Sequence, residues 1–165
     1  MNRPRKTILG LSLGTSQMLG MILLVGDTLR DWQVKTFPGP WSDNKLRIIK
    51  LTIERYVMRH KVEIIALKLP EGIETSHAVR QLLTMITKLG KDRMVAVYTA
   101  TVADLKAHAK VRNKKELMRY CLLYYPELGF AFKKAESVKR IYYVRIFEAV
   151  VAAMHAQSTD LYDMP

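Results

Sequence analysis

The chain has 165 residues, 49% of them hydrophobic, the size of one ordinary domain and enough to bury a core without disulfides. Its 27 Lys and Arg against 15 Asp and Glu leave a formal charge of +12, which favours a polyanionic partner, nucleic acid first. The single cysteine, Cys121, excludes an internal disulfide and reads as a packed thiol in a reducing compartment. No run approaches the roughly 18 apolar residues of a membrane span.

The opening Met1-Asn2-Arg3-Pro4-Arg5-Lys6 is basic and precedes Ile8-Leu9-Gly10-Leu11-Ser12-Leu13-Gly14-Thr15-Ser16 and then Leu19-Gly20-Met21-Ile22-Leu23-Leu24-Val25. A basic head before an apolar body superficially matches a secretory signal. Three glycines and the polar Ser12, Thr15, Ser16 and Gln17 interrupt that body, so it reads instead as a basic tail ahead of two strands joined at a glycine turn, in a cytoplasmic protein. Gly26-Asp27 is a turn pair, and Leu29 to Thr36 is a third strand closing an antiparallel meander.

Ser42 or Asp43 caps a first helix carrying Leu46, Ile49, Ile53 and Val57 up to about His60. The run Val62-Glu63-Ile64-Ile65-Ala66-Leu67-Lys68 reads as a buried strand parallel to the first. Thr75 or Ser76 opens a second helix, with Gly90 expected as its C′ residue, and Met94 to Tyr98 is the fifth strand. Val102 to Ala109 fits a short helix. Asn113 with Glu116 has capping-box spacing and opens another, which Pro126 stops. The last helix is expected from about Ser137, followed by a loose tail from Gln157 to Pro165.

This order predicts one three-layer α/β/α domain over residues 1–165, with a core of about 7–156, a basic N-terminal tail 1–6 and a loose C-terminal tail 157–165. The sheet is mixed and five-stranded, three antiparallel strands followed by two parallel ones.

The element order, together with the opening Ile8-to-Ser16 motif, resembles the ribonuclease H-like superfold and, within it, the RuvC-type Holliday junction resolvases, from about Ile8 to His155. Members of that family end the first strand in Asp, followed by a Gly-Ser turn. They end the fourth strand in Glu and carry two Asp three apart on the final helix. Those carboxylates bind two divalent cations that activate a water and stabilise the leaving oxygen of a phosphodiester. Carried over, the first Asp falls on Ser12, the Glu on Lys68, and the helical pair on Arg145 and Glu148. Three of four metal ligands are therefore missing. An ammonium and a guanidinium repel Mg²⁺, and the four residues can instead make a small ionic cluster.

The resemblance thus implies a pseudoenzyme without a metal cofactor that binds nucleic acid, DNA more than RNA and branched DNA in particular, or a partner protein, as a possible homodimer like the resolvases. Lys110, Arg112, Lys114 and Lys115 lie where such resolvases carry basic residues that meet DNA phosphates. Three alternatives stand beside it. In the first, Glu71, assisted by Asp104 or His155, restores an Mg²⁺-dependent junction endonuclease. In the second, Leu11-Ser12-Leu13-Gly14-Thr15-Ser16, which also resembles the first phosphate loop of sugar kinases, Hsp70 and actin, holds a phosphate or nucleotide. In the third, the chain is an assembly module with no ligand. His60, His77, His108 and His155 are scattered without zinc spacing and read as core or surface histidines. Trp32 and Trp41 read as packing, and one tyrosine of each pair, Tyr124-Tyr125 and Tyr142-Tyr143, is expected to face the core.

Overall fold

A computed structural model describes residues 5–15, 18–70, 76–137 and 140–162. Strands β1 (Thr7–Thr15), β2 (Met18–Val25) and β3 (Thr28–Thr36) form the meander, and helix α1 (Asp43–His60) leads to β4 (Ile64–Lys68). Helix α2 (His77–Arg93) leads to β5 (Ala96–Ala100), followed by α3 (Val102–Ala109) and α4 (Lys114–Tyr124). A 3₁₀ turn (Pro126–Leu128), α5 (Gly129–Glu136) and α6 (Arg140–Tyr162) complete the chain. The sheet order is β3-β2-β1-β4-β5. β1 pairs antiparallel with β2 and parallel with β4, which pairs parallel with β5. This is the expected mixed, three-layer α/β/α architecture. No helix among the described residues is long and apolar enough to cross a membrane.

Period-2 alternation sorts the strands into two cores. Ile8, Ile22, Leu24, Ile64 and Ala66 pack against α3 to α6. Their neighbours Leu9, Leu11, Leu23, Ile65 and Leu67 pack against α1 and α2. The even-numbered face is the one that matters for the site. Gly10 and Gly20 lie on it, and a Cβ at Gly20 would stand 2.5 Å from the Arg145 carbonyl oxygen, while one at Gly10 would meet the Ala149 carbonyl. Missing side chains there let α6 lie directly on the sheet.

Caps set the helix starts. Ser42 accepts from the Lys45 amide, Ser76 from Val79, and Asn113 from Glu116. Thr101 and Asp104 form a reciprocal capping box. Glu116 instead accepts from the Arg112 amide, one residue before the position a capping box requires.

Three expectations are corrected. Helix α2 runs through Gly90 to Arg93, and the left-handed residue that ends it is Met94, at φ 56°. Gly90 serves close packing, since a Cβ there would meet Val97 at 2.6 Å. In consequence β5 starts at Ala96, two residues later than expected. The last helix, α6, starts at Arg140, close to the expected Ser137, and is preceded by a helix that was not expected, α5, whose Ala131 and Ala135 form a buried face. The tail expected to be loose continues α6 to Tyr162. Gln157 donates to the Gly26 carbonyl, and Asp160 accepts from Lys6 at 2.6 Å and from Tyr98. This ties Lys6, just ahead of β1, to the end of α6. Residues 16–17, 71–75 and 163–165 lie outside the described residues.

Candidate functional site

Ser12 and Lys68 are direct partners in the parallel β1–β4 pairing. Both occupy even positions, so both side chains point at α6. There they meet Glu148, with Arg145 one turn earlier on the same helix face. Ser12, Lys68 and Glu148 are 0%, 2% and 1% exposed, and the Arg145 side chain is 12% exposed. Residues separated by up to 136 positions thus converge on one carboxylate.

The Glu148 carboxylate is the hub. Oε1 accepts from Ser12 Oγ at 3.2 Å and from Arg145 Nη1 at 2.9 Å. Oε2 faces Lys68 Nζ at 2.9 Å and Lys114 Nζ at 3.9 Å. Oε2 is thus held by the charge of two ammonium groups, and the buried Arg145 Nε has no hydrogen-bond partner among the described residues. One carboxylate therefore faces three cations. Burial pushes the Glu148 carboxyl up, but Lys68, Arg145 and Lys114 together outweigh it and hold the group below its usual range. Burial pulls the Lys68 amine down, and Arg145 and Lys114 add to this, so that attraction to Glu148 restores only part of its basicity. Both values fall, which favours the charged form of Glu148 and disfavours that of Lys68, because positive charge is in excess. Glu148 stays ionised, and the charged form of Lys68 is weakened.

This donor set does not fit a divalent cation. Mg²⁺ takes six oxygens, usually with one or two carboxylates among them. Lys68 and Arg145 offer donors only, and both oxygens of Glu148 already face cations. Among the described residues, no three His, Cys, Asp or Glu side chains come together as a metal-holding group.

Neither described helper of the relocated-carboxylate alternative joins the cluster. Asp104 is engaged by the Thr101 amide at 2.8 Å, which with burial opposing it holds the carboxyl low. His155 lies two turns beyond Glu148 and stacks edge-on against His108, ring centroids 5.4 Å apart. Glu71 falls outside the described residues. So does part of the proposed phosphate loop, including Ser16.

The four basic residues expected to meet phosphate do not act alike. Arg112 is 91% exposed and loosely paired with Glu116 at 3.8 Å. Lys110 is the exposed left-handed cap of α3, and Lys115 reaches Glu136 at 3.7 Å. Lys114, with its side chain 38% exposed, turns inward to Glu148. Sequence reasoning missed that turn. Its only local signal is the Asn113 cap, which makes Lys114 the first residue of α4.

The remaining residues take structural places. Cys121 is fully buried against the Phe147 carbonyl, and burial pushes its thiol far up. Trp41 donates to Gln81 at 2.7 Å, and Trp32 packs on the α6-side core. Tyr125 is buried while Tyr124 is exposed. Tyr143 packs on the core, and Tyr142 donates to the Val34 carbonyl.

No family model and no curated protein matches the sequence. Among solved structures, T. thermophilus RuvC in complex with a Holliday junction substrate aligns with a TM-score of 0.71, at 17% identity over 96% of each chain. A second Thermus thermophilus RuvC structure aligns with a TM-score of 0.71, at 16% identity over 96% of this chain and 97% of that one. A Thermus thermophilus ROK hexokinase aligns at 0.43, with 18% identity over 63% of this chain and 36% of the other, too loosely to carry an argument about phosphate binding. At these identities it is the fold that is shared: this chain has the ribonuclease H-like architecture of RuvC over nearly its whole length.

Proposed function

We propose that this chain is a RuvC-like domain that binds nucleic acid, branched DNA in particular, and does not cleave it by a two-metal route. The observation that carries this reading is the contact of Lys68 Nζ and Arg145 Nη1 with Glu148, each at 2.9 Å. Two protein cations stand at the positions the resemblance assigns to metal-binding carboxylates. They supply positive charge to Glu148 without offering a water-activating centre. A side-chain ammonium or guanidinium cannot polarise a bound water as a divalent ion does.

The binding half of the reading rests on charge and exposure. The chain carries +12, and Lys110, Arg112 and Lys115 are exposed around the start of α4. Contacts of this kind fix position on a backbone and carry little sequence information, so preference among nucleic acids comes from shape. The solved RuvC relative holds a Holliday junction substrate, which makes the four-way junction the first ligand to try.

The test is a titration of labelled four-way junction, duplex and single strand at two salt concentrations, each with Mg²⁺ and with EDTA. The expected result is junction binding that weakens with salt, tighter than duplex binding and equal with or without Mg²⁺. Lys110→Ala, Arg112→Ala and Lys115→Ala together should flatten the salt dependence by about 0.9 per lost phosphate contact. Absence of binding to all three probes at low salt sinks the proposal.

A further inference from the structure

The positive charge is not gathered around Glu148. Helices α1 and α2, on the opposite side of the sheet, together carry nine Lys and Arg against three Asp and Glu, half of the net +12. Of these nine cations Arg93 pairs with Glu54 at 3.5 Å and Lys45 is held by the Gly39 carbonyl. The other seven have no ion pair among the described residues.

This basic layer also has an apolar groove. A cleft of about 330 Å³ runs along α2, lined by Leu46 of α1 and by His77, Arg80, Thr84, Met85 and Lys88 of α2. Trp41, bonded to Gln81 in the same cleft, packs on the core beside it. The α2 residues recur every three or four positions from 77 to 88, a stripe about 17 Å long, or three helical turns. Arg80 and Lys88 are exposed cations on that stripe, one near each end.

We infer that this groove docks an acidic amphipathic helix of about three turns from a partner protein, its apolar side chains over Leu46 and Met85 and its carboxylates on Arg80 and Lys88. An apolar groove with a basic rim is the complement of such a helix. A second copy of this chain fits poorly, because it would set one basic face against another. A phosphate backbone satisfies the cations but leaves the apolar floor uncovered. The inference does not depend on the junction-binding reading, which concerns the other face.

The probe is a fluorescein-labelled acidic peptide of about 18 residues, with Glu on one helical face and Leu at i, i+3, i+4 and i+7. Its anisotropy is followed against the full chain. Binding in the micromolar range is expected, weakened at least about tenfold by Arg80→Glu with Lys88→Glu. Lys133→Glu with Lys134→Glu, on α5, makes the same change in net charge and should leave the affinity within about twofold. A peptide with Ser in place of Leu should bind at least about tenfold more weakly, which tests the apolar floor without altering the protein. Equal binding of the Ser peptide, or an equal loss in the α5 variant, overturns the inference, because bulk charge then suffices. It is also overturned if duplex DNA or anionic-lipid vesicles displace the peptide and lose affinity themselves through Arg80→Glu with Lys88→Glu. A solution dimer that those same changes dissociate would overturn it in favour of a second copy.

Discussion

Replacing Glu148 by Gln keeps the volume of the side chain and removes the one anion that compensates Lys68 and Arg145. Each contact at 2.9 Å contributes about 6 kcal/mol at an effective dielectric of about 20. Most of that is offset by stripping charged groups of water and by repulsion between the two cations. What remains visible on deleting one partner of a buried ionic cluster is about 3–5 kcal/mol, because the orphaned charges stay buried. Set against a total stability of about 5–15 kcal/mol, this is a large loss, a fall in Tm of roughly 6–20 °C for a domain of this size. Urea unfolding at pH 7 measures it directly. Lys68→Met, Arg145→Leu and Glu148→Leu combined should recover most of the loss, since a neutral packed core removes the desolvation cost along with the attraction. A Glu148→Gln variant within about 1 kcal/mol of wild type would refute the reasoning, as that is the value of an exposed, solvated pair.

Titration should show both ends of the cluster. Glu148 is held below its usual value of 4.5, so its stabilisation is complete above that pH and is lost as pH falls through the lower folded-state value; Glu148→Gln should lack this acid limb in unfolding experiments. Lys68 is held below 10.5, so between its folded-state value and 10.5 the unfolded chain binds the extra proton and stability rises with pH; Lys68→Met should flatten that rise. Ser12→Asp, Lys68→Glu and Arg145→Asp together rebuild the carboxylate set, and Mn²⁺ should then raise the Tm of the variant while leaving wild type unchanged, as read by differential scanning fluorimetry. Gly20→Ala drives a methyl group into the Arg145 backbone and should cost about 1–3 kcal/mol, whereas Met94→Gly relieves a left-handed, fully solvated residue and should stabilise by about 0.5–1 kcal/mol. Both are checked by the same denaturation midpoints.

Strand periodicity made the sheet legible. The even positions that place Ser12 and Lys68 on one face follow from the pattern of Ile8, Gly10 and Ala66 alone. Their meeting with Glu148 does not. It depends on α6 lying close enough to the sheet, which Gly10 and Gly20 permit and which no local pattern announces. Helix ends were legible where a side chain caps the backbone, at Ser42, Ser76 and Asn113. The end of α2 was misplaced, because a non-glycine residue, Met94, takes the left-handed position there. Lys61 and Lys110 take it too, yet α1 and α3 end where expected; the expectation that Gly90 ends α2 followed from the ordinary preference for glycine there. The inward turn of Lys114 was hidden for a similar reason. A lysine in a basic run reads as solvated unless the buried carboxylate it reaches is known.

The central claim is that protein cations stand where a resolvase would hold metal ions. Its most direct test is incubation of a labelled four-way junction with the protein in Mg²⁺, Mn²⁺ or EDTA, followed by a denaturing gel to see the strands and a native gel to see the complex. The account predicts a complex under all three conditions with every strand intact. Nicks that require the divalent ion and disappear in Glu148→Gln would contradict it.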